Sequence, residues 1–127
     1  MKPSELTDMQ LFAWAIKKEA GGESPLGQLA VAHVVLNRVE RHTWYGYSVR
    51  DVLLKPWQFS CFNGEAEVFV VDGGDPCHTV AYLAMGGFTV DPTKGATHYH
   101  NPCVMPGWSG KLKFLMGIGN HLFYREE

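Results

Sequence analysis

Cysteine is scarce in this chain. Cys61, Cys77 and Cys103 are the full complement among 127 residues, an odd number with no C-x-x-C spacing. That pattern predicts buried or half-buried free thiols, with one disulfide open if the chain works in an oxidising compartment. No apolar run approaches the length of a membrane span, so membrane insertion is not expected. The segment Met1-Lys2-Pro3-Ser4-Glu5 lacks the apolar stretch of a signal peptide, which predicts synthesis in the cytoplasm without a leader. Runs of Lys and Arg are missing and the net charge is −2, which argues against a nucleic-acid partner. Linkers, repeats and low-complexity stretches are absent as well, so residues 1–127 read as one domain.

Aromatic residues, by contrast, are plentiful: four Trp, five Tyr and seven Phe in a chain that is 46% hydrophobic. They serve a core first, but flat aromatic faces also stack on pyranose rings. Thr7-x-x-Gln10 is a capping box that opens a helix with Leu11, Phe12, Ala15 and Ile16 as its apolar stripe. Gly21-Gly22 stops it, and Ser24-Pro25 starts another. From Leu26 to about Glu40 that second helix is apolar on most faces, so it should be central and buried. Asn37-Arg38 near its end reads as a structural polar anchor. Ser48-x-x-Asp51 caps a short third helix to about Leu54, closed by Pro56. Asp75-Pro76 starts a fourth, with Val80, Leu83 and Ala84 facing inward. Val68-Phe69-Val70-Val71 is either a strand or the core of a helical turn.

After Gly87 the helical period gives way to Gly, Pro and short aromatic or β-branched runs. Thr97–His100, Lys111–Met116 and His121–Tyr124 read as short strands. The expected fold is α+β: a mainly helical N-terminal body, a small C-terminal β lobe, and a cleft between them for a ligand.

Chemistry concentrates in Glu19-Ala20-Gly21-Gly22-Glu23, two carboxylates four residues apart where a helix ends. A Glu in the last turn faces the negative end of the helix dipole, and partial burial also disfavours its charge. Both effects suit a general acid near neutral pH. Glu23 is either a second carboxylate of the same site or an acid stabilising the N-terminus of the helix that follows.

Further segments extend the pattern: Gly27–Ala32, Val34–Val39, Pro56-Trp57-Gln58-Phe59-Ser60, Asp91-Pro92-Thr93-x-Gly95-Ala96, His98–Pro102, Pro106-x-Trp108 and Ile118–Tyr124. In this order and spacing they resemble the SleB/CwlJ family of cell-wall hydrolases, known as spore-cortex-lytic enzymes and also found as phage endolysins. The resemblance runs from about residue 9 to residue 125, with residues 62–76 unmatched and Gly21 standing where the family often has Arg or Lys. It implies a lysozyme-like catalytic domain that cuts the glycan strands of peptidoglycan and carries no required metal; no other cofactor is expected, and a monomer is expected for a single domain of this size. The family's acid maps onto Glu19. A muramidase would need a second carboxylate, with Glu23 nearest. A lytic transglycosylase attacks internally with the muramyl 6-hydroxyl, and one Glu can serve as acid and then base.

Gln58, Ser60 and Asn101 either satisfy local backbone groups or bind the acetamido and hydroxyl groups of the sugars. Trp57, Tyr99 and Trp108 either stack on sugar rings or pack in the core. His98 and His100, alternating in a strand, with His121 and Cys103 raise the alternative of a metal-dependent amidase or peptidase, although no HExxH is present. A wall-binding module without chemistry is the non-enzymatic alternative. The setting that fits best is a phage endolysin acting on the wall from the host periplasm; a sporulation protein comes next.

Overall fold

Each helix starts where its capping chemistry puts it, in a computed structural model that describes residues 1–55, 59, 62 and 67–127. Helix α1 (Asp8–Ala20) opens on the reciprocal box: Gln10 N–H donates to Thr7 Oγ1 at 3.1 Å and Thr7 N–H to Gln10 Oε1 at 2.8 Å. Helix α2 (Pro25–Arg41) is capped by Ser24 with Pro25 at its first position, and it ends on a left-handed His42. Ser48 caps α3 (Val49–Leu54) and Asp75 caps α4 (Pro76–Met85).

Helix α2 is central, as its all-round apolar surface requires. Ala30, Val31, Ala32, Val34 and Val35 are each at most 1% exposed, and α1, α3 and α4 pack around it. One core cluster lies among the helices, built on Leu11, Phe12, Ile16, Val35, Val52 and Leu53. A second joins Ala20, Ala30, Val31 and Val34 to Ala96 and Phe123, and so glues the helical body to the sheet. Burying the Phe123 ring there is worth about 1.5–3 kcal/mol.

The sheet holds β1 (His98–His100), β2 (Lys113–Ile118) and β3 (His121–Arg125), all antiparallel, in the order β1-β3-β2. Tyr99 stands opposite Phe123 and His98 opposite Tyr124. The two-residue side-chain period therefore puts Tyr99, His121 and Phe123 on the helix-facing side, and His98, His100 and Tyr124 on the other. Asn37 and Arg38 anchor the approach to β1, as predicted. Asn37 Nδ2 donates to Asp91 Oδ2 at 2.8 Å and to the Ala96 carbonyl at 2.9 Å, and Arg38 Nε donates to the Thr97 carbonyl at 2.7 Å. Among the described residues no helix is long and apolar enough to cross a membrane.

Two expectations need correction. The buried face of α4 is Cys77, Ala81 and Ala84; Leu83 is exposed and Val80 half-buried. Small side chains let α4 approach both α1 and α2 closely, whereas Leu83 inward would hold them apart. Val68–Val71 is neither strand nor helix. It is an irregular segment with Val68 and Val71 buried and Phe69 and Val70 exposed, held by Val68 N–H on the Met1 carbonyl at 2.9 Å.

Candidate active site

Glu19 occupies the last turn of α1, half-buried beside Ala20, which belongs to the core that joins helices and sheet. Tyr99, the middle residue of β1, reaches back from the sheet and donates its hydroxyl to Glu19 Oε1 at 2.8 Å. Its ring is fixed from below by Phe123, with centroids 5.9 Å apart, and from the side by His121, at 5.0 Å. Arg38 contributes positive charge behind the pair. Its guanidinium is buried between the rings of Tyr45 and Phe59, each 5.3 Å away. Burial lowers its pKa, opposed by Tyr99, Tyr45, Glu19 and Glu126 around it.

Glu23 is engaged elsewhere. The chain stays right-handed at Gly21, and the turn closes when Glu23 N–H bonds the Ala20 carbonyl at 2.9 Å. The carboxylate then meets the β2–β3 turn: Oε1 accepts from Asn120 N–H at 2.8 Å and Oε2 from Asn120 Nδ2 at 3.0 Å. These two donors hold its pKa below the ordinary carboxylate range, outweighing burial. His121 Nδ1 lies 3.9 Å from Oε1, with both side chains nearly sealed from solvent. Burial lowers the His121 pKa, with the charges of Glu23 and Glu19 opposing. Glu23 therefore lies against the first turn of α2, as its helix-dipole reading has it, and also ties that turn to the β2–β3 hairpin.

The remaining candidates divide. Tyr99 joins Glu19. Trp108 does not: it lies in the 3-10 turn Gly107–Gly110 and packs on His98, His100 and Tyr124, the sheet face opposite Tyr99. Asn101 serves its own turn, since its Oδ1 accepts from Cys103 N–H at 2.9 Å. Trp57, Gln58 and Ser60 lie outside the described residues. His98 and His100 sit on one face of the sheet and His121 on the other, so the three imidazoles do not converge. His100 Nε2 shares a hydrogen bond with the Tyr124 hydroxyl at 2.9 Å, and burial drives the His98 pKa down to about 4. Among the described residues no group of three His, Cys, Asp or Glu side chains is arranged to hold a metal ion.

Sequence reasoning missed Asn120. Gly119-Asn120 reads locally as a hairpin turn, and nothing in the sequence ties it to a glutamate 97 residues away.

Known proteins share this fold and sequence pattern. The sequence profile of the cell wall hydrolase family matches residues 22–124, beginning three positions after Glu19. The spore cortex-lytic enzyme of Halalkalibacterium halodurans is 33% identical over 117 residues, 91% of this chain and 34% of that protein. The chain thus spans about a third of the length of that curated relative. The crystal structure of the catalytic domain of the Bacillus cereus SleB protein is 32% identical, with a TM-score of 0.78 over 93% of this chain and 89% of that one. The catalytic domain of the germination-specific lytic transglycosylase SleB from Bacillus anthracis is 30% identical, with a TM-score of 0.79 over 97% and 99%. With most of its length matched in sequence and in fold, this chain belongs to the cell wall hydrolase family.

Proposed function

We propose that the protein cleaves the bond between N-acetylmuramic acid and N-acetylglucosamine in the glycan strands of peptidoglycan, acting as a monomer with Glu19 as general acid. The observation that carries this reading is the 2.8 Å hydrogen bond from Tyr99 to Glu19 Oε1. Because Oε1 accepts from the phenol, the proton of the neutral acid sits on Oε2, the oxygen left to meet substrate. Glu19 gives that proton to the glycosidic oxygen as the bond to C1 breaks. The muramyl 6-hydroxyl then attacks C1 and returns its proton to the Glu19 carboxylate, leaving a 1,6-anhydro end and a regenerated acid.

Lytic transglycosylation is favoured over muramidase action by the state of Glu23. A carboxylate already accepting two hydrogen bonds from Asn120 is poorly placed to activate water. The Bacillus anthracis relative is described as a lytic transglycosylase, which supports the same choice. The Halalkalibacterium relative is a spore cortex-lytic enzyme, so the spore setting draws support that the endolysin setting lacks. Mass spectrometry of digested peptidoglycan tests the reaction: 1,6-anhydro-muramic ends are expected, while hydrated ends would mean a muramidase and free stem peptides an amidase. Folded Glu19→Gln protein should release none of these; wild-type activity in that variant would sink the assignment of the acid.

A further inference from the structure

The β2–β3 turn is built around one carboxylate. Gly119 has a φ of +57°, and a Cβ there would stand 2.3 Å from Glu23 Oε1. Gly27, on the first turn of α2, is bare for the same reason: its Cβ would lie 2.9 Å from Glu23 Cβ. Glu23 is therefore enclosed by two glycines and tied by two hydrogen bonds to Asn120. The next residue of the turn, His121, has a buried Nδ1 without a hydrogen-bond partner, and the nearest charged atom across from it is Glu23 Oε1 at 3.9 Å. The ring of His121 meets Tyr99 edge-on, and Tyr99 holds Glu19.

We propose that Glu23, Asn120 and His121 form a positioning assembly that seats the Tyr99 hydroxyl on Glu19. Glu23 fixes the turn and faces the imidazole with negative charge. The imidazole, held in one orientation, walls the Tyr99 ring and aims its phenol. Glu23 is in this account a positioning residue rather than a second catalytic carboxylate. The inference rests on Glu19 being the acid.

The test is a double-mutant cycle on a soluble peptidoglycan oligosaccharide, with kcat and KM measured for Tyr99→Phe, Glu23→Gln and the pair. Each single variant is expected to lower kcat about tenfold and leave KM within about twofold, since small misplacements of a catalytic group act on the chemical step. The pair should be no worse than Tyr99→Phe alone, because Glu23 acts through Tyr99. Asn120→Ala, in an exposed turn, gives a milder version if Glu23→Gln fails to fold. Multiplying losses in the double variant, or wild-type kcat in both Glu23→Gln and Asn120→Ala, would overturn the assembly. Neither result touches the assignment of Glu19, which stands or falls on Glu19→Gln.

Discussion

Lys17 Nζ stands 2.5 Å from Asp75 Oδ2, so the last turn of α1 is tied to the residue that caps α4. Asp75 thereby has two partners, Lys17 and the Cys77 N–H, and both lower its pKa. Lys17 is raised by the same contact. A carboxylate depressed in the fold stabilises above its unfolded pKa of about 3.9, and that contribution is lost as pH falls through the folded value. A raised lysine stabilises below about 10.5, and its contribution is lost as pH climbs through the higher folded value. Urea midpoints should therefore separate wild type from Asp75→Asn near neutral pH and converge as pH falls through the lowered Asp75 value. Asn keeps the cap, so the difference reports the charge.

Tyr99→Phe removes one hydroxyl from a half-buried site and leaves the ring contacts with His121 and Phe123 in place. Stability should change by about 1 kcal/mol or less. Release of anhydro ends should fall about tenfold, equivalent to about 1.4 kcal/mol in the barrier. Paired thermal melts and turnover assays distinguish the two effects.

Gly119→Ala should be among the costly small substitutions, at about 2–3 kcal/mol, because left-handed strain adds to collision with Glu23. Gly110→Ala meets nothing within 4 Å and serves as the control, expected within about 0.5 kcal/mol of wild type. Equal urea midpoints for the two variants would contradict the geometry of the turn.

Cys103 is exposed and Cys77 is buried, and burial, followed by the Asp75 charge, pushes the Cys77 thiol up to about 11. Iodoacetamide at pH 8 should alkylate Cys103 in the native protein and Cys77 only after unfolding. Peptide mass spectrometry reads each site separately.

Local chemistry carried most of the fold into view. Thr7, Ser24, Ser48 and Asp75 each act on a backbone donor within three positions, so the four helix starts could be read directly. The α4 face could not, since a ten-residue helix apolar on nearly every side leaves no period to choose between Leu83 and Ala81. Val68 finds its backbone partner in Met1, a pairing no window of sequence contains. The site behaved the same way. The place of Glu19 in the last turn of a helix was legible, whereas the partner of Glu23 depends on a hairpin folded far along the chain. The contacts of Trp108 with the outer sheet face and of Asn101 with its own turn depend on where β1 and the Gly107–Gly110 turn fold, which composition does not give.

The strand order β1-β3-β2 gives the middle place to the strand made last. A nascent chain that has released β1 and β2 but not His121–Arg125 has two edges and nothing between them. Phe123, which backs Tyr99, is also missing until then. Glu19 thus leaves the ribosome early, but its phenol lacks its backing until β3 emerges. On this topology the proposed acid waits, during synthesis, for the strand that backs its phenol, roughly a hundred residues after its own turn has formed.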